Sequence, residues 1–274
     1  MDDLLLHPRT KAELTALLTD APHALMFIAP SGTGKRAVAQ KWAERLADKT
    51  GVTALEPDEK GTITIDATRA LYQRTRARQA GHQVVIIDHA ESMSGEAQNA
   101  FLKLLEEPRP GLTFILTASN ADDMLPTIQS RLQVVQLHPV SAQVLAAEAK
   151  KLQPGVDNQT LAQLLFVANG RPATLVTMLH DEKAFERHKH IMQKAKLLLS
   201  ADQYERLAMV QELAKDKNEL TATLEAMAHM LKLQMMRDSA LKWVGVADDL
   251  QECLRRLRQN GNARAQLVHF FMTY

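Results

Sequence analysis

The sequence predicts two classes of structure in one chain: an α/β first half built on a parallel sheet, and an all-helical second half. Two observations carry this. Up to residue 139, short apolar runs alternate with helical stretches, the pattern of strands buried on both faces and joined by crossover helices. After His138-Pro139 the strand signals stop and helical periodicity continues to the end. The candidate strands are 24–29, 62–66, 84–88, 113–118 and 134–137, each short and bounded by polar, Gly or Pro residues. Of the helices between them, the clearest is 94–107. There Ala97, Ala100, Phe101, Leu104 and Leu105 recur at helical spacing, Ser94 stands ready as N-cap and Pro108 is the stop.

The helical remainder is punctuated at Pro154-Gly155 and Gly170-Arg171-Pro172. This predicts a small three-helix unit, with Pro172 in the first turn of its third helix. Longer amphipathic stretches follow from about 181, among them 203–214, 220–237 and 248–258. The expected domains are 1–139, 140–180 and 181–274. Met227, Met230, Met235 and Met236 read as core and interface packing, since Met fills irregular gaps.

Composition excludes several functions. In 274 residues, 33 Lys and Arg face 32 Asp and Glu, so the formal charge of +1 gives no overall basic field for autonomous nucleic-acid binding. The single cysteine, Cys253, cannot form an internal disulfide or a multi-cysteine zinc site. The start of the chain is acidic, and no stretch approaches the roughly 18 apolar residues that span a bilayer, so a cytoplasmic protein without membrane contact is expected.

The chemistry concentrates after the first strand. Ala29-Pro30-Ser31-Gly32-Thr33-Gly34-Lys35-Arg36 stands between a strand and a helix expected to begin near Ala37. In a phosphate-binding loop, glycines turn backbone N–H groups inward, the helix N-terminus adds positive potential and a lysine reaches the outer phosphates. Gly32, Thr33, Gly34 and Lys35 match that pattern. Two positions depart from it: Ala29 replaces the first glycine, and Arg36 replaces the hydroxyl residue that would ligate magnesium. The strand 84–88 ends in Asp88, which could hold magnesium through water. The glutamate expected next, to orient an attacking water, is replaced by His89, and Glu91 stands two residues too far along. A histidine can act as a base, but with Arg36 the simpler reading is a site that takes ATP or ADP with magnesium weakly and does not hydrolyse it. A basic run, Arg69, Arg74, Arg76 and Arg78, has no acidic residue between Asp66 and Asp88 and is a candidate for DNA phosphate contact. His188 and His190 fall on different helix faces, so no metal site is expected there.

Several segments together resemble the bacterial DNA polymerase III clamp loader. They are 22–27, the phosphate loop, 84–88, the run AQNAFLKLLEEP at 97–108, FILT at 114–117 and TIQSR at 127–131. The resemblance covers about 1–180 and implies an AAA+ P-loop domain, a helical lid and a C-terminal helical collar, in a five-subunit ring that opens a sliding clamp and places it on primed DNA. It aligns Arg131 with the arginine finger that enters a neighbouring subunit's nucleotide site and, more loosely, Asn120 with sensor 1 and Arg171 with sensor 2. The degenerate loop, His89 and the retained Ser130-Arg131 resemble the delta-prime subunit, whose partners would be gamma/tau-like and delta-like subunits. An ATP-hydrolysing gamma/tau-like motor is the open alternative. Both groups often carry a four-cysteine zinc module after the first helix. The interval 47–61 is too short for one, so no zinc is expected.

Overall fold

The computed structural model describes residues 4–47, 51–76, 81–238, 242–258 and 261–274. The chain divides into two compact units, Met1–Leu179 and His180–Tyr274. Among the described residues no helix is long and apolar enough to cross a membrane.

The first unit is built on five strands: β1 (Ala24–Ile28), β2 (Val52–Leu55), β3 (Gln83–Ile87), β4 (Leu112–Ala118) and β5 (Gln133–Gln136). Every pairing is parallel and the order is β2-β3-β4-β1-β5. Four helices serve as crossovers and cover: α1 (Pro8–Ala16), α2 (Lys35–Leu46), α3 (Ile65–Arg76) and α4 (Gly95–Glu106); the short α5 (Pro126–Gln129) precedes β5. Alternation along the strands sends Met26, Val85, Ile87, Phe114 and Leu116 into one core layer with Leu71, Phe101 and Leu105. Leu25, Phe27, Val84, Ile86 and Ile115 enter the opposite layer with Leu14, Val38 and Trp42. Trp42 meets Phe27 edge-on and donates its indole N–H to the Leu14 carbonyl at 2.9 Å, so its one polar atom is satisfied inside the core. Helix α4 begins as expected, with Ser94 accepting from the Ala97 N–H at 3.1 Å.

One expected strand is corrected. Residues 62–66 form no strand; the sheet takes its outer strand from β2 at Val52–Leu55. Ile63 is extended and pairs with the 92–94 segment through a single bridge. The Thr64 hydroxyl then accepts from the Ala67 N–H at 3.3 Å, and α3 starts at Ile65. β2 escapes pattern reading because an edge strand with Thr53 and Ala54 exposed carries little apolar signal. Helix α2 starts two residues before the expected Ala37, at Lys35.

Three helices complete this unit: α6 (Ala142–Leu152), α7 (Asn158–Ala168) and α8 (Pro172–His180). Gly170 between the last two has φ +75°, and a Cβ there would stand 2.6 Å from the Pro139 Cβ. Only glycine meets both conditions.

Among its described residues the second unit is built of helices: α9 (Glu182–Ser200), α10 (Gln203–Leu213), α11 (Lys217–Asp238), α12 (Lys242–Arg258) and α13 (Ala263–Thr273). Its core joins Leu198, Leu224, Met227, Leu231, Leu257, Phe270 and Phe271. The buried Arg206 donates to the Leu198 carbonyl at 2.9 Å and lies 3.6 Å over the Tyr274 ring. Of the four methionines expected to pack, Met227 is in the core and Met230 against it, whereas Met236 is exposed.

Candidate nucleotide-type site and arginine arm

The loop 29–35 follows β1 and opens α2, with Gly34 as the N-cap in the left-handed region at φ +89° and Gly32 at φ +81°. Ala29 is buried and lies outside the left-handed region, so an alanine is tolerated where the motif has glycine. Lys35 is buried; its ammonium donates to the Ala29 carbonyl at 2.7 Å and stands 3.5 Å from the Ser119 hydroxyl. The Thr33 hydroxyl donates to the Pro30 carbonyl at 2.8 Å. From above, the first turn of α8 closes on the loop. The Thr174 N–H donates to the Gly32 carbonyl at 3.0 Å, and a Cβ at Gly32 would stand 1.9 Å from the Thr174 hydroxyl.

On the acidic side, Asp88 is buried at the end of β3 and accepts the Thr117 hydroxyl at 2.5 Å. The Arg36 guanidinium bonds the Glu56 carboxylate and lies 3.8 Å from the other Asp88 oxygen. The Glu56 hydrogen bond raises the arginine's pKa further; slight burial opposes this and the two carboxylates' charge reinforces it. A fixed positive charge thus sits at the carboxylate that would hold magnesium. Among the described residues no group of three or more His, Cys, Asp or Glu side chains gathers for a metal. The residues present do not fit a magnesium site.

His89 is in the left-handed region at φ +52°, held by its N–H to the Thr117 hydroxyl at 3.1 Å. The 3-10 turn Ala90–Ser92 then folds Glu91 back toward Ser119 and His89. Its Oε1 accepts from the Ser119 N–H at 3.2 Å and lies 3.5 Å from the His89 Nδ1, while Oε2 is buried with no hydrogen-bond partner among the described residues. The Glu91 hydrogen bond raises the pKa of His89 against the lowering effect of burial. Burial pushes Glu91 upward, but the His89 bond, a backbone N–H and the His89 and Lys35 charges together carry it below the usual carboxylate range.

Other sequence-selected residues go elsewhere. The Asn120 amide oxygen accepts from the Asp122 N–H at 3.3 Å, capping a 3-10 turn; the side chain that meets Lys35 is Ser119. Arg171 donates to the Val167 and Ala168 carbonyls at 2.9 and 3.0 Å, at the end of α7. Arg131 follows α5. Its guanidinium donates to the Thr127 carbonyl at 2.8 Å and to Glu106 at 3.0 Å. Of the basic run, Arg69 pairs at 3.7 Å with Asp66, and Arg74 edges a small cavity of about 170 Å³ between β2 and α3. The Arg76 side chain and Arg78 lie outside the described residues. Reasoning from sequence missed Glu56, Thr117, Ser119 and Thr174. Only Ser119, placed directly after an apolar strand, left a readable trace.

The parallel sheet, the phosphate-type loop at the head of α2, the acid at the end of β3 and the three-helix lid define an AAA+ P-loop module. Solved structures share the fold: the Holliday junction branch migration motor RuvB of Thermotoga maritima, at 12% identity with a TM-score of 0.63, covers 85% of this chain and 89% of its own. A DNA polymerase III gamma subunit-related protein from the same organism aligns at 15% identity with a TM-score of 0.50 over 96% of this chain and 97% of its own. A family model described as "DNA polymerase III, delta subunit" matches residues 50–141. The delta' subunit of Pseudomonas aeruginosa DNA polymerase III is 30% identical over 203 residues, 65% of this chain and 61% of that protein. Its Haemophilus influenzae counterpart is 34% identical over 142 residues, 51% and 43% of the two chains. A gamma/tau subunit of Mycobacterium tuberculosis is 25% identical over 299 aligned positions, 90% of this chain and 51% of that one. The chain therefore spans less than two thirds of the length of these curated relatives. The family match and the delta' relatives show that this chain is similar to DNA polymerase III delta-type subunits over part of its length.

Proposed function

We propose that this protein is the delta-prime-type member of a cytoplasmic clamp loader. There it assembles with gamma/tau-like and delta-like subunits, helps place a sliding clamp on primed DNA and leaves hydrolysis to its neighbours. The observation that carries the silent-site half of this reading is Arg36, bonded to Glu56 and 3.8 Å from Asp88. A guanidinium cannot ligate a cation, and it competes for the carboxylate that would. The loop keeps its glycines and Lys35, so a phosphate group would be held by backbone N–H groups and the ammonium, weakly and without metal-assisted turnover. The rival, an ATP-hydrolysing gamma/tau-like motor, draws on the longer gamma/tau alignment, but it requires a metal site that this donor set does not supply.

The second half of the proposal is that Arg131 acts as an arginine finger on the neighbouring subunit's nucleotide. Its side chain stands on the turn after the short helix α5 and is 37% exposed. Arg131→Ala leaves folding nearly intact, since an exposed ion pair contributes at most about 1 kcal/mol. In a reconstituted ring whose motor subunits are all wild type, turnover at the one interface falls by roughly 10³ to 10⁵. Arg131→Lys rescues only in part, because an ammonium lacks the planar two-pronged donor. Unchanged clamp- and DNA-stimulated hydrolysis at matched assembly removes Arg131 from the mechanism.

A further inference from the structure

Glu106 is the last residue of α4, and its position there is electrostatically unfavourable. A carboxylate in the final turn of a helix opposes the macrodipole, which favours cations at that end. Its contribution must therefore be sought in what it touches, and it touches the Arg131 guanidinium at 3.0 Å, 25 residues away. The mount beneath this pair is rigid. Gln98, buried on the same helix α4, accepts the Leu125 N–H at 2.8 Å and donates to the Met93 carbonyl at 3.4 Å, so α4 and the N-terminus of α5 are joined through one side chain. Ile128, between them, is fully buried, and the Gln129 amide donates to the Met124 carbonyl at 2.9 Å.

Arg131 is thus gripped from two sides. One Nη donates to the Thr127 carbonyl one turn back, which orients the chain locally; the other is held by Glu106, which sets the direction of the guanidinium plane. We propose that Glu106 is a positioning residue for Arg131. It presents the guanidinium in one orientation before the neighbouring subunit's phosphates arrive. This rests on the finger reading of Arg131 given above. The pair is half-exposed, 37% on the arginine and 50% on the glutamate, so its grip is modest and a phosphate dianion can share the arginine without a large cost.

The test is a double-mutant cycle in the full chain assembled with wild-type partner subunits, read as clamp- and DNA-stimulated ATP hydrolysis. Glu106→Gln removes the charge and keeps the shape, and it lowers the kcat of the affected interface roughly two- to fivefold with the KM for ATP unchanged. Glu106→Asp recovers part of the loss. In the Arg131→Ala background Glu106→Gln has no further effect, whereas a merely structural role for Glu106 would slow both backgrounds alike. Equal losses in the two backgrounds, an unchanged rate with Glu106→Gln, or a faster one, overturns the positioning role while leaving the finger reading intact. An unchanged rate with Arg131→Ala removes the finger reading and this inference with it. Loss of assembly by Glu106→Gln, measured by co-elution, also counts against it.

Discussion

Replacing Arg36 by Thr tests the electrostatic argument at its centre. The substitution restores the hydroxyl the motif calls for and removes the guanidinium that binds Glu56 and stands 3.8 Å from Asp88. Two unit charges about 4 Å apart interact by about 1 kcal/mol in water and about 4 kcal/mol at an effective dielectric constant of 20; a divalent ion doubles either figure. The Arg36 side chain is 57% exposed, so the aqueous end of that range applies, and its repulsion of a magnesium ion on Asp88 comes to about 2 kcal/mol. At about 1.4 kcal/mol per decade this is roughly a thirtyfold weakening of magnesium-dependent nucleotide binding. The fold should tolerate the change. An exposed pair with Glu56 is worth at most about 1 kcal/mol, and Asp88 keeps its bond from Thr117. Calorimetric titration with ATP, with magnesium and with excess chelator, reads the difference directly. For the wild type, magnesium leaves affinity unimproved; for Arg36→Thr, magnesium strengthens binding by roughly thirtyfold. Hydrolysis stays negligible in both, because the residue after Asp88 is still His89. Tight, magnesium-dependent binding by the wild type, or steady phosphate release from it, refutes the reasoning.

Two further outcomes follow from geometry elsewhere in the first unit. Gly170→Ala places a Cβ 2.6 Å from Pro139 in a left-handed backbone, and it should destabilise the protein by about 2–4 kcal/mol in urea unfolding; a cost below about 0.5 kcal/mol would contradict both the clash and the strain. The His89–Glu91 contact should make stability pH-dependent. His89 has a raised pKa in the folded state, so its contribution is complete below about pH 6.5 and is lost as pH rises through that raised value; Glu91 is depressed, so its share is present above about pH 4.5 and is lost as pH falls through its lowered value. Asp88 supports the charged imidazole and Lys35 opposes it. The stability gap between wild type and His89→Ala should therefore shrink as pH rises above about 6.5; a gap that is flat or widens as pH rises from there sinks the assignment.

By itself the sequence determined the class of fold, the place of the phosphate-type loop, the helix that carries Glu106 and the division between a sheet-based half and a helical one. These are local properties: apolar runs of strand length, Ser94 ahead of a helical stripe, glycines where the backbone must turn left-handed. It also marked Arg36 and His89 as departures, because residue type at a fixed offset from Lys35 or Asp88 is readable without coordinates. What the chain does with those departures was decided only by tertiary structure. Arg36 finds Glu56 twenty residues on because β2 runs beside β3, and β2 was itself illegible as a half-exposed edge. Glu91 reaches Ser119 because His89 adopts a left-handed backbone, which no periodicity reports. Asn120 and Ser119 are neighbours in sequence, yet the turn after β4 brings the serine hydroxyl to Lys35 and sets the Asn120 amide oxygen on the Asp122 N–H. Arg131 was legible as a residue, yet its pairing with Glu106 depends on how α4 and α5 pack through Gln98. Pattern records what each segment prefers, whereas a contact between segments depends on where the buried faces of the sheet bring their ends.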